Sequence, residues 1–146
     1  MIVIRQLHQI DQALEAVYAL LTAVYTPSPW TRSQLEADML AEETAYYLAY
    51  EGETLLGVLA VQVVVDEMEI VQLAVHPSAR RRGIAWQLLE CLAGWSGKIF
   101  LEVRASNLPA QSLYARQHFT TIGKRKNYYR APIEDAVIMM RKRDEG

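Results

Sequence analysis

The sequence predicts an α/β fold, a mixed and mostly antiparallel sheet flanked by helices, and three observations predict it. Apolar residues recur at helical spacing in an early segment, a β-rich stretch fills the middle, and strands then alternate with helices. With 146 residues, 51% of them hydrophobic and 22% charged, the chain fits one globular domain spanning 1–146.

The elements follow in order. Residues 2–7 read as a short strand. Ile10, Leu14, Val17, Leu21 and Val24 sit at helical spacing and predict an amphipathic helix over 11–24. Thr26-Pro27-Ser28-Pro29 ends it. Thr31 and Gln34 form a capping-box pattern, with Trp30 and Leu35 as its hydrophobic staple, so a second helix covers 31–41. Strands at 45–51 and 54–65 are joined by the Glu51-Gly52-Glu53 turn, and Asp66-Glu67 turns into a third strand, 68–76. There Met68 and Ile70 lie on one parity and Val71, Leu73 and Val75 on the other. Burial on both faces or a β-bulge would produce that slip. A helix over 80–95 turns Ile84, Leu88, Leu89, Leu92 and Trp95 inward. Residues 98–103 form a strand, 109–117 a helix with Pro109 in its first turn, and 119–126 with 136–140 an antiparallel pair.

Several classes of function are disfavoured. A net charge of -2 gives no global attraction to nucleic acid or anionic membrane. One cysteine, Cys91, allows no internal disulfide or cysteine metal cluster, and its place near Leu88 and Leu92 predicts packing. His8, His76 and His118 lack ligand spacing, so no metal is expected. Met1-Ile2-Val3-Ile4-Arg5 turns polar too quickly to read as a signal peptide and no apolar run approaches ~20 residues, so a cytoplasmic protein is the expectation.

The segment Val75-His76-Pro77-Ser78-Ala79-Arg80-Arg81-Arg82-Gly83-Ile84-Ala85 is the most informative. A strand ends, and a basic turn opens a helix. The free amides and dipole of a helix start attract anions. Gly83 and Ala85 remove side-chain bulk, and the arginines add charge-assisted donors. The spacing is neither that of a Walker loop nor that of a dinucleotide fingerprint. A solvated basic turn is the competing reading.

Arg80-x-x-Gly83-x-Ala85 after a strand resembles the [QR]-x-x-G-x-[GA] signature of the GNAT acetyltransferases. Leu101-Glu102-Val103-Arg104-Ala105-Ser106-Asn107, then Leu113-Tyr114, Asn127-Tyr128-Tyr129 and Glu134-Asp135-Ala136, resemble the ribosomal-protein-alanine N-acetyltransferases of the RimI type. Pro29-Trp30-Thr31 is similar to the Pro-Trp-Ser/Thr of that subfamily. The resemblance implies acetyl-CoA as donor, with its pyrophosphate at Arg80, Arg81, Arg82, Gly83, Ile84, Ala85 and Trp86. It implies backbone amides of Leu73, Ala74 and Val75 at the carbonyl oxygen, and a cofactor contact from Asn107, which also suits a helix cap. The acceptor it implies is a protein N-terminus, the N-terminal alanine of a small-subunit ribosomal protein.

Acetyl transfer to an amine needs a base, an oxyanion site and an acid for the thiolate. Glu102 is the candidate base. It sits in the apolar run Ile99-Phe100-Leu101-Glu102-Val103, where a carboxylate holds a proton more readily than in water. Pairing with Arg104, or a solvent-facing position, is the alternative, and the resemblance favours the base. Tyr114 is the candidate acid, because a phenol near pKa 10 can protonate a departing thiolate. A core position is its alternative, and the resemblance assigns it to the sulfur. Trp30, Tyr128, Tyr129 and Glu134 are the candidate acceptor-binding residues. Acidic residues at 36, 38, 42 and 43 and at 66, 67 and 69 would favour a basic peptide if they line that slot. The turn after Tyr129 departs from the subfamily, being short and beginning with Arg130 where proline is common.

Overall fold

The structure, a computed structural model, describes residues 1–8, 13–25 and 30–142. The expected positions Ile10, Thr26, Pro27, Ser28 and Pro29 lie outside the described residues. In chain order the elements are β1 Ile2–Gln6, α1 Leu14–Val24, α2 Arg32–Leu40, β2 Thr44–Glu51, β3 Thr54–Val64, β4 Glu67–Val75, α3 Ile84–Glu90, β5 Ile99–Arg104, α4 Leu108–Arg116, β6 Thr120–Arg130 and β7 Ile133–Arg141. The strands order as β1-β2-β3-β4-β5-β7-β6. The β4–β5 pair is parallel, whereas β1–β2, β2–β3, β5–β7 and β6–β7 are antiparallel. The mixed, mostly antiparallel sheet expected from the sequence is the one found.

The chain divides into two compact units. The first is Met1–Gln62 with Gln72–Ala93, and the second is Val63–Val71 with Gly94–Gly146.

In the first unit β3 is buried without alternation from Leu55 to Val61, as a strand covered on both faces must be. Helix α1 contributes Leu14, Val17, Leu20 and Leu21 to the core, and α3 contributes Ile84, Leu88 and Leu89. Burying each such side chain stabilises the unit by about 1.5–3 kcal/mol. Helix α2 has the expected capping box. The Gln34 amide donates to Thr31 Oγ1 at 3.1 Å, and the Thr31 amide donates to Gln34 Oε1 at 2.9 Å. Asp38 accepts the Tyr46 hydroxyl, so this acidic residue has a structural partner. Burial and that carboxylate push the Tyr46 phenol far up.

Helix α3 is shorter than the expected 80–95. Arg81 and Gly83 take left-handed backbone, with φ 66° and 76°, which holds 80–83 outside the helix. Beyond Glu90 the bonds tighten to three-residue spacing: Cys91 N to Leu88 O at 3.1 Å, Leu92 N to Leu89 O at 3.0 Å and Ala93 N to Glu90 O at 3.1 Å. Cys91 therefore caps the helix and is exposed, against the expectation of packing. The slip in β4 reflects burial of unequal depth. Met68, Ile70 and Ala74 are buried, whereas Val71, Leu73 and Val75 are half-buried on the opposite parity.

In the second unit β5 alternates cleanly, with Ile99, Leu101 and Val103 inward and Phe100, Glu102 and Arg104 half-exposed. Strand β7 matches it through Val137, Met139 and Arg141. Strand β6 runs to Arg130 and β7 starts at Ile133, so this hairpin is longer than expected from the sequence.

Candidate active site

The first unit holds the basic turn. The His76 amide donates to Leu56 O at 2.8 Å, and His76 Nδ1 accepts from the Ser78 amide at 3.1 Å, which pins the chain as β4 ends. The first amide to reach a helical carbonyl is that of Gln87, donating to Gly83 O at 3.0 Å. The amides of Ile84 and Ala85 precede it and point out of the helix end. A Cβ built on Gly83 meets nothing within 4 Å, so this corner is bare backbone with open space before it. Helix α3 reaches this position because β3 has a glycine beneath it. A Cβ on Gly57 would lie 2.9 Å from Ile84 Cγ2 and 3.1 Å from Leu88 Cδ1.

The three arginines differ. Arg82 pairs with Glu51, and its hydrogen bond holds the Glu51 carboxyl below the usual range. Arg80 and Arg81 are exposed and form no ion pair among the described residues. Of the remaining expected residues in this unit, Ala74 is buried, and Leu73, Val75, Trp86 and Trp30 are half-buried.

The second unit holds the candidate base and the candidate acid. The apolar residues of β5 face the core, and Glu102 faces away from them, with its side chain 20% exposed. Its ionic partner is Arg125, and not Arg104 as in the alternative reading: Arg125 Nε lies 3.5 Å from Glu102 Oε2. That distance makes an ion pair without a hydrogen bond, and Oε2 is buried with no hydrogen-bond donor. Arg104 instead approaches Glu134 Oε1 at 3.3 Å and Tyr129, whose ring centre is 4.3 Å from its guanidinium carbon.

Two irregularities in β6 bring these residues onto one face. One extra β6 residue lies between Thr121 and Gly123, and the three residues between Arg125 and Tyr129 stand against the single β7 residue between Ala136 and Glu134. Asn127, at φ 51°, turns its amide to Asp135 Oδ1 at 2.9 Å within the second. Because a one-residue slip exchanges the two faces, Gly123, Arg125 and Tyr129 stand opposite Ile138, Ala136 and Glu134. Ile138 and Ala136 in turn stand opposite Glu102 and Arg104. Tyr128 packs edge to face on Tyr129, centroids 5.2 Å apart. The Glu102 charge, foremost, pushes its phenol up. Glu69, opposite Phe100 on the parallel neighbour β4, feels the same charge after the larger effect of lost solvent, and its carboxyl is pushed up.

Glu134 is already engaged. It accepts the Ser106 amide at 2.9 Å as well as Arg104, and hydrogen bonding from Ser106 holds its carboxyl low. Asn107 caps α4, accepting the Ala110 amide at 3.2 Å. Tyr114, on α4, is 7% exposed and packs against Phe119 at 5.7 Å.

The model of the acetyltransferase (GNAT) family matches residues 12–119. The chain belongs to that family. It is an acetyl-CoA-dependent N-acetyltransferase. It is 36% identical over 122 residues to the ribosomal protein bS18-alanine N-acetyltransferase of Haemophilus ducreyi, covering 76% of this chain and 81% of that one. It is 32% identical over 124 residues to the N-alpha-acetyltransferase RimI of Mycobacterium tuberculosis, covering 81% and 77%. The crystal structure of the ribosomal-protein-S18-alanine N-acetyltransferase from Escherichia coli superposes with a TM-score of 0.88 at 29% identity, over 100% of this chain and 97% of that one.

The basic turn fits the pyrophosphate of this acetyltransferase's donor, since exposed arginines flank a glycine corner with open space before it. Sequence reasoning raised Glu69 only as one of an acidic cluster, and it missed Arg125. The register slips that aim Arg125 at Glu102 leave no periodic trace, although Lys124-Arg125-Lys126 so near Tyr128 could have signalled a cation beside the acceptor residues.

Proposed function

We propose that this acetyltransferase acts on the N-terminal α-amine of a protein, and that its acceptor is the N-terminal alanine of ribosomal protein bS18 in the cytoplasm. The observation that carries the reading is the shared face of Glu102, Tyr128 and Tyr129, a carboxylate beside a pair of aromatic walls. The likeness to enzymes named for that acceptor supports it.

Acetyl-CoA supplies an activated acetyl thioester. In the first unit Arg80 and Arg81, the amides at Gly83, Ile84 and Ala85, and Trp86 would hold it, with Arg82 steering from its pair with Glu51. The amides of Leu73, Ala74 and Val75 stabilise charge on the carbonyl oxygen. Glu102 takes the proton from the acceptor nitrogen, and Tyr114 returns one to the departing sulfur. Tyr128 and Tyr129 wall the acceptor slot, and Glu134 braces it through Arg104. The reading takes residues 1–146 as one catalytic domain.

Proton chemistry favours an α-amine. Its pKa of about 8 leaves on the order of a tenth or more deprotonated at neutral pH, against on the order of a tenth of a per cent for a lysine near 10.4. Mass spectrometry after incubation with acetyl-CoA tests this. One peptide carries a free N-terminal Ala followed by basic residues, and the other a blocked terminus with internal lysines. One acetyl on the first peptide alone is expected. Modification of only the lysine peptide would replace the acceptor class.

A further inference from the structure

We propose that Arg125 is a positioning residue for the reaction, holding the Glu102 carboxylate in the orientation from which it takes the acceptor's proton. The proposal rests on the reading of Glu102 as base.

The sheet register explains how the two meet. Glu102 shares a row with Ile138 and Gly123, and Arg104 shares the next row with Ala136 and Arg125. Arg125 must therefore cross β7 diagonally to reach Glu102. It crosses between Ala136, only a methyl, and Ile138, whose Cδ1 lies 3.8 Å from where a Cβ on Gly123 would stand. The reach ends with Nε 3.5 Å from Oε2. The same guanidinium lies 5.3 Å from the centre of the Tyr128 ring, so one side chain touches both the base and a wall of the acceptor slot.

Stability does not account for this arrangement. The Arg125 side chain is 57% exposed, and exposed ion pairs contribute little. The contact does restrain a carboxylate whose buried oxygen has no hydrogen-bond donor. Rates depend steeply on such placement.

The test is steady-state kinetics on the full chain with the Ala-terminated peptide, comparing Glu102→Gln, Arg125→Met, Arg125→Lys and the double variant Glu102→Gln/Arg125→Met. Arg125→Met is expected to lower kcat roughly ten- to hundredfold with the KM for acetyl-CoA unchanged, and Arg125→Lys to recover part of that loss. In the Glu102→Gln background the Met substitution should change kcat by no more than about twofold. A full further loss there would overturn the proposal, as would a raised acceptor KM with kcat intact. Loss in Glu102→Gln beside an unaltered Arg125→Met would overturn it and leave the base standing. Normal turnover in Glu102→Gln would instead remove the base reading, and Arg125's role with it. Should Arg125→Met fail to bind acetyl-CoA, Arg125→Gln and Arg125→Lys carry the same comparison.

Discussion

The Arg104 guanidinium lies over the Tyr129 ring, 4.3 Å from its centre, and also donates to Pro132 O at 3.1 Å and Glu134 Oε1 at 3.3 Å. Glu134 in turn holds the Ser106 amide. One cation thus ties the end of β5 to the hairpin of β6 and β7 and sets the plane of a tyrosine. Arg104→Met should raise the acceptor-peptide KM by roughly three- to thirtyfold, the value of one cation–π contact with its hydrogen bonds. The KM for acetyl-CoA should stay within error. An unchanged acceptor KM would separate Tyr129 from acceptor binding.

Gly57 sets how close α3 lies to β3. The Cβ of an alanine there would meet Ile84 Cγ2 at 2.9 Å and Leu88 Cδ1 at 3.1 Å, with Ala74 O at 3.4 Å. Ile84 and Leu88 are 2% and 0% exposed and have nowhere to retreat. Gly57→Ala should cost about 1–3 kcal/mol in urea unfolding, the usual cost of overpacking. An unchanged midpoint would show that α3 shifts freely.

The apolar periods carried most of this fold. Leu14, Val17 and Leu21 marked α1, and Thr31 with Gln34 marked the start of α2, because local spacing and capping decide those elements. The start of α3 and the length of β6 were not legible. Both depend on backbone features that side-chain pattern does not encode: left-handed Arg81 and Asn127, and register slips against β7. The site divides in the same way. Glu102 and the turn at 80–85 stood out by motif. Arg125 and Glu69 are near Glu102 only through pairing between strands remote in sequence.

The arginine turn offers a comparison between neighbours. Arg82 is held by Glu51, whereas Arg80 and Arg81 form no ion pair among the described residues. Replacing Arg80 and Arg81 together with Ala should weaken acetyl-CoA binding by roughly tenfold or more, since each hydrogen bond to a charged group is worth about 1.5–3 kcal/mol. Isothermal titration with acetyl-CoA measures it. Arg82→Ala alone should weaken binding less, because that arginine must first leave its carboxylate. Equal affinity in the double variant and the parent would move the phosphate site elsewhere.

Glu69 yields a prediction whose sign is fixed by titration. Lost solvent and the Glu102 charge raise its carboxyl above the ordinary 4.5, with Arg125 partly offsetting them. The folded state therefore prefers Glu69 protonated. That preference stabilises the fold below the ordinary value, and the benefit is lost as pH rises through the raised one. Glu69→Gln keeps the shape and removes the titration. The variant should melt at a higher temperature than the parent near about pH 7.5 and at the same temperature near about pH 3.5. Glu51 and Glu134, whose carboxyls are held low, lose their contribution on the acid side in both proteins and cancel in the difference. A melting difference that does not vary with pH, or a less stable variant at neutral pH, would show that Glu69 does not compete with Glu102 for negative charge on that face.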